Sequence, residues 1–116
     1  KILDIYLNEI SSPLLTPIPV PKNASTSKYL IPFIFNGDRD YFVERLLENG
    51  VGTNISYQTP VHLMPAYKDL NYLQGDFPRA EFFCSQNISF PIFNDMPESL
   101  ALQTVQKIND VLSSLY

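Results

Sequence analysis

Few residues of this chain could do chemistry at neutral pH, and they are sparsely placed. The only histidine, His62, lies in the run YQTPVHLMPAY (57–67) with Tyr57, Tyr67, Pro60, Pro65 and Met64. Imidazole and phenol both donate and accept hydrogen bonds near neutral pH. Loops at strand ends commonly carry ligand contacts. The spacing supports two readings. In one, Tyr57 and His62 touch a ligand. In the other, which spacing alone favours, the prolines lock a packed connection and the backbone satisfies His62. The sole cysteine, Cys84, falls on the apolar face of an expected helix. A small buried thiol is the ordinary outcome there, rather than a nucleophile paired with His62. One histidine and one cysteine cannot build a zinc site. No glycine-rich loop is present that could cradle a phosphate. Asp38, Asp40 and Asp76 read as helix-start carboxylates facing the positive end of a helix dipole.

The elements that must position these residues belong to one small domain. A length of 116 residues suits one modest core. The net charge is -4, acids and bases are interspersed, and no Lys or Arg run occurs. Composition therefore points away from nucleic-acid and anionic-membrane partners. Apolar runs fall short of the ~20 residues a membrane helix needs. A lone cysteine cannot form an internal disulfide, which argues for a reducing compartment or against disulfide dependence, and the expected localisation is cytoplasmic. No secretory signal is read, and Lys1 in place of an initiator Met suggests a piece of a longer chain. The sequons at Asn23, Asn54 and Asn87 read as chance, the last two because they fall in expected strands.

Along the chain, residues 1–10 read as the end of a helix, stopped by Ser11-Ser12-Pro13. Pro17, Pro19 and Pro21 alternate with other residues, so this connector reads as a stiff extended strap over the surface. Residues 1–27 are thus the end of a helix plus a strap, and 28–116 a small α+β domain. Residues 28–35 predict a strand, placed at a sheet edge because Pro32 cannot donate to a ladder. Asp38 predicts an N-cap for a helix over 39–49 that buries Phe42, Val43, Leu46 and Leu47 and ends at Gly50. Alternation predicts a strand over 51–57. Asp76 predicts the cap of a helix with Pro78 in its first turn and Phe82, Phe83 and Cys84 as its apolar centre. A third strand is expected over 87–93. Pro97 then opens a last helix buried along Ala101, Val105, Ile108 and Leu112. The expected fold is α+β, a small, mostly antiparallel three-stranded sheet covered by helices.

With the motifs in order, the chain resembles the C-terminal domain of the DegT/DnrJ/EryC1/StrS family of pyridoxal-phosphate-dependent sugar aminotransferases. The resemblance rests on Arg39-Asp40 at a helix start and the turn Gly50-Val51-Gly52-Thr53. It continues through Tyr57-x-x-Pro60-x-His62, then Tyr67, Pro78-x-Ala80-Glu81 and Ser89-Phe90-Pro91. Gln58 and Met64 depart from the family's common proline and glutamine. The resemblance implies that the parent enzyme aminates keto sugars carried on nucleotides. It also implies that the parent works as a homodimer and that a large N-terminal domain holds the Schiff-base lysine and most pyridoxal phosphate contacts. None of Lys1, Lys22, Lys28, Lys68 or Lys107 sits in a family lysine motif. The chain alone is therefore expected to bind no cofactor and to carry no catalytic residue. Tyr57 and His62 are implied to orient the nucleotide sugar as its substrate-binding residues. Within this chain His62 is expected to face solvent. Two rivals stand beside this reading: a stand-alone binding or regulatory module derived from the family, and a dehydratase of the same family. The strap (Leu14, Leu15, Ile18, Val20) and the first helix are the expected exposed apolar surface, and that exposure predicts self-association.

Overall fold

A computed structural model describes residues 1–115. The chain runs α1 (Ile2–Glu9), β1 (Leu15–Pro17), β2 (Pro32–Phe35), α2 (Arg39–Glu48), two 3-10 turns (Val61–Leu63 and Pro65–Leu70), α3 (Pro78–Gln86), β3 (Asn87–Ser89) and α4 (Glu98–Leu115). The three strands form an antiparallel sheet in the order β1-β2-β3. The expected α+β class holds.

Local sequence explains much of this. Asp38 caps α2 by accepting a hydrogen bond from the Tyr41 amide (3.0 Å). Gly50 follows α2 at φ +79, and the Gly50 and Val51 amides donate back to Leu47 and Leu46 carbonyls. This paired return closes the helix and needs a residue at ease in the left-handed region. The stripe Ala101, Val105, Ile108, Leu112 of α4 is buried throughout, joined by Thr104 and Val111. In β2, Phe33 and Phe35 alternate inward with less buried Pro32 and Ile34. Phe35 stacks on Phe42 of α2 (4.3 Å between ring centres), and Phe33 and Tyr6 both meet Phe90. α1 and α2 pack on α4, so the core lies between the sheet and these three helices.

Several expectations are corrected. The strap is not merely laid on the surface. Leu15–Pro17 pairs with β2 in the register Leu15↔Phe35, Thr16↔Ile34, Pro17↔Phe33, and Leu15 is buried. β2 is therefore central rather than an edge, and it tolerates Pro32 because Pro32 is its first residue. The predicted strand over 51–57 does not form. A single bridge survives, in which Asn54 and Ser89 exchange both backbone hydrogen bonds (2.9 and 2.8 Å). The strand over 87–93 shortens to Asn87–Ser89. Leu47 and Phe82, expected inside, are 68% and 52% exposed.

The exposed apolar surface lies only partly where expected: Val20 of the strap and Leu7 of α1 are exposed, but Leu15 is buried. Ile2, Leu3, Ile5 and Leu14 pack against the core. Nine of the 17 exposed large apolar residues fall between Tyr57 and Phe82. That segment is an arm of turns with few strand or helix partners. Among the described residues, no helix is long and apolar enough to cross a membrane.

Candidate functional site

The arm begins where the sheet's last bridge ends. The Ser56 amide donates to Asn87 Oδ1 (3.0 Å), and Asn87 Nδ2 donates to the Phe83 carbonyl (2.9 Å). Buried Asn87 thus ties the root of the arm to α3. Its burial also leaves no room for a glycan, as the reading of that sequon as chance requires. Tyr57 follows at φ +57, a left-handed conformation that costs an aromatic residue about 1–2 kcal/mol. This turn throws the arm away from the sheet and leaves Tyr57 74% exposed. A shallow cleft of about 310 Å³ separates Tyr57, Val61 and Met64 from Ala80 and Phe83 of α3.

His62 sits in the first 3-10 turn, introduced by extended Pro60. Its side chain is only 7% exposed. The ring lies edge-on to Phe77 (4.8 Å) and Tyr72 (6.4 Å), which also meet each other (5.0 Å). Nε2 is buried 3.3 Å from Glu81 Oε2 but off the line of a hydrogen bond, so the contact is electrostatic and strongest with the ring protonated. The expectation that His62 faces solvent is therefore wrong, and so is the alternative in which the backbone satisfies it. Its polar neighbour is a carboxylate from the next helix. Tyr57 lines the cleft and His62 does not, so the structure keeps the two candidate residues on one arm without joining them in one pocket.

Glu81 is the residue that spacing missed. Its Oε1 accepts from the Gly75 amide (2.7 Å) and its Oε2 from the Phe77 amide (3.1 Å). The signal was present in Pro78-x-Ala80-Glu81, since a carboxylate in a first helical turn sits beside unpaired backbone donors. Asp76, expected to cap α3, instead accepts from the Leu73 amide (2.7 Å). Phe77 is the N-cap residue and gives no side-chain cap.

Arg39 holds the far end of α3. Its Nη1 donates to the Cys84 carbonyl (2.5 Å) and to the Asn87 carbonyl (3.2 Å). A cation at a helix C-terminus offsets the dipole there. Cys84 is buried at 6% exposure, and burial pushes its thiol up, with the Arg39 charge pulling the other way. That fits an inert thiol. Among the described residues, no three His, Cys, Asp or Glu side chains gather as a metal site.

Sheet order and helix placement define a small α+β domain, a three-stranded antiparallel sheet with helices, from which an apolar arm projects. The profile of the DegT/DnrJ/EryC1/StrS aminotransferase family matches residues 1–110, and the chain belongs to that family. An uncharacterized protein of Methanocaldococcus jannaschii is 31% identical over 121 residues, covering 97% of this chain and 31% of the relative. A dTDP-3-amino-3,4,6-trideoxy-alpha-D-glucose transaminase of Streptomyces venezuelae is 35% identical over 72 residues, covering 62% of this chain and 19% of the enzyme. The crystal structure of DesV from S. venezuelae, in complex with a ketimine intermediate, superposes with a TM-score of 0.90 at 25% identity. That match covers 99% of this chain and 31% of DesV. The chain thus spans about a third or less of these relatives' length.

Proposed function

We propose that this chain is the C-terminal part of a pyridoxal-phosphate-dependent aminotransferase acting on keto sugars carried by nucleotides. Residues 28–116 are its small domain, and residues 1–27 lead in from a large N-terminal domain. The reading is carried by the superposition of nearly the whole chain on DesV, at a TM-score of 0.90. The amino donor is glutamate, the working form is a homodimer, and the setting is cytoplasmic.

The residues described here do not fit the cofactor itself. All five lysines are exposed, whereas a Schiff-base lysine needs a desolvated pocket and a phosphate anchor. The large domain supplies both. This domain closes one wall of the parent's active site, which lies between it and the large domain. The apolar arm excludes water from it, Tyr57 packs on the sugar nucleotide, and His62 orients it through hydrogen bonding. Neither residue takes a proton from the reacting carbon.

The test begins with the full reading frame. The purified parent should show a cofactor absorbance band that borohydride fixes on a lysine outside residues 1–116. A parent with no such lysine overturns the transaminase reading and leaves a dehydratase or a binding module. In the parent, His62→Ala should raise KM for the nucleotide sugar at least tenfold. It should leave the half-reaction with glutamate within twofold, because that step lacks the sugar.

A further inference from the structure

We propose that Glu81 is the positioning residue of His62, and that its carboxylate locks the ring and the loop Leu73–Phe77 into one unit. The inference rests on the reading of His62 as a sugar-nucleotide contact and names what sets its direction.

The geometry carries it in three steps. First, the carboxylate is already committed. Its two oxygens accept from the Gly75 and Phe77 amides at 2.7 and 3.1 Å. A carboxylate offers about four acceptor positions, so room remains for the imidazole. Second, His62 Nε2 is buried, lacks any other partner and lies 3.3 Å from Glu81 Oε2. A buried, unpaired ring nitrogen is costly, and the Glu81 oxygen is the acceptor within reach. Third, Phe77 serves both sides. Its amide is held by Glu81, and its ring meets the His62 ring edge-on at 4.8 Å. Fixing the loop therefore fixes the wall against which the imidazole rests.

The charged surroundings are simple. Glu81 is the one carboxylate within 4 Å of a ring nitrogen among the described residues. Asp76, on the facing loop, is turned toward the Leu73 amide. The Tyr72 and Phe77 rings flank the imidazole across the loop. With Nε2 held on Glu81, Nδ1 is the nitrogen left for a ligand. The second ring nitrogen of a histidine is commonly what fixes the tautomer and direction of the first.

Because the chain has one histidine, its imidazole signals need no assignment. In the 116-residue chain at pH 8, a one-bond nitrogen–proton spectrum should show the Nε2 proton. Cross-peaks should run from it to the Phe77 and Tyr72 rings. Glu81→Ala should speed exchange of that proton at least tenfold and erase the cross-peaks. Their persistence in folded Glu81→Ala protein overturns the proposal. If Glu81→Ala does not fold, His62→Gln gives the reciprocal reading, since it leaves the Gly75 and Phe77 amides their acceptor. The Glu81 carboxyl carbon signal should then move, and an unmoved signal overturns the proposal. Both readouts are taken without sugar, so their failure removes the Glu81 role alone. A failure of the KM test on the parent removes the sugar reading alone.

Discussion

Removing one hydroxyl group, by Tyr6→Phe, should change both the stability and the alkaline limit of the fold. Tyr6 is fully buried, stacks on Phe90, and donates from its hydroxyl to the Pro91 carbonyl at 2.7 Å. At pH 7 the variant loses that part-buried hydrogen bond, a cost of about 1–1.5 kcal/mol. The wild-type phenol is pushed up from 10.0 to about 12, chiefly by burial, with the Thr104 hydroxyl acting weakly the other way. A raised folded pKa means the native state holds its proton longer than the unfolded chain does. Stability from this group is therefore complete below pH 10 and is lost as pH rises toward 12. A two-unit shift corresponds to about 2.7 kcal/mol over the whole window and about 1.4 kcal/mol by pH 11. That roughly equals the hydrogen-bond loss, so the two proteins should become equally stable near pH 11. The assay is urea unfolding followed by circular dichroism from pH 7 to 11.5, comparing the two proteins so that all other titrating groups cancel. Parallel loss of stability in wild type and variant across pH 9.5–11.5 would refute the account of Tyr6.

Three further outcomes are expected. Gly50→Ala puts a side chain at φ +79. Although a Cβ there meets nothing nearer than Lys107 Nζ at 3.6 Å, strain should cost about 1–2 kcal/mol and lower the thermal midpoint by several degrees. Asn87→Ala unpairs the Ser56 amide and takes the side-chain donor from the Phe83 carbonyl, which keeps the backbone amide of residue 87. It should cost about 1–2 kcal/mol in urea unfolding and speed hydrogen exchange at the root of the arm before it does so in α4. Cys84, buried with its thiol pushed up, should react with a disulfide reagent at neutral pH only at the rate at which the protein opens. A stoichiometric burst in the native state would refute that burial.

The helices were legible because their signals are local. Asp38, Gly50 and the α4 stripe each act within a turn or two of their own position. The strands were harder, since a strand exists only with a partner. The alternation over 51–57 is real, yet only Asn54 finds a neighbour, while Leu15–Pro17 pairs despite a proline. Leu47 and Phe82 follow the helical period of a buried face but meet no second layer in this chain. His62 could be singled out as the only imidazole. Its pairing with Glu81 could not be read, because 19 positions separate them and only the fold of the arm brings them to 3.3 Å.

The sheet's outer strand also limits how the protein can meet others. The Ile18 amide points inward to the Pro32 carbonyl, and the Leu14 carbonyl accepts from the Asn36 amide. The backbone N–H and C=O groups of even-numbered residues here therefore point at β2, and those of odd-numbered residues point away from it. Pro17 and Pro19 fall on the outward set, where each removes a donor that an added strand would need. Backbone recruitment of a foreign strand, the usual first step toward fibrils from a bare edge, is blocked on this side. On the other side β3 already meets the Asn54 bridge. Contacts with other protein surfaces then fall to side chains, and just over half of the large apolar ones turned outward belong to the arm.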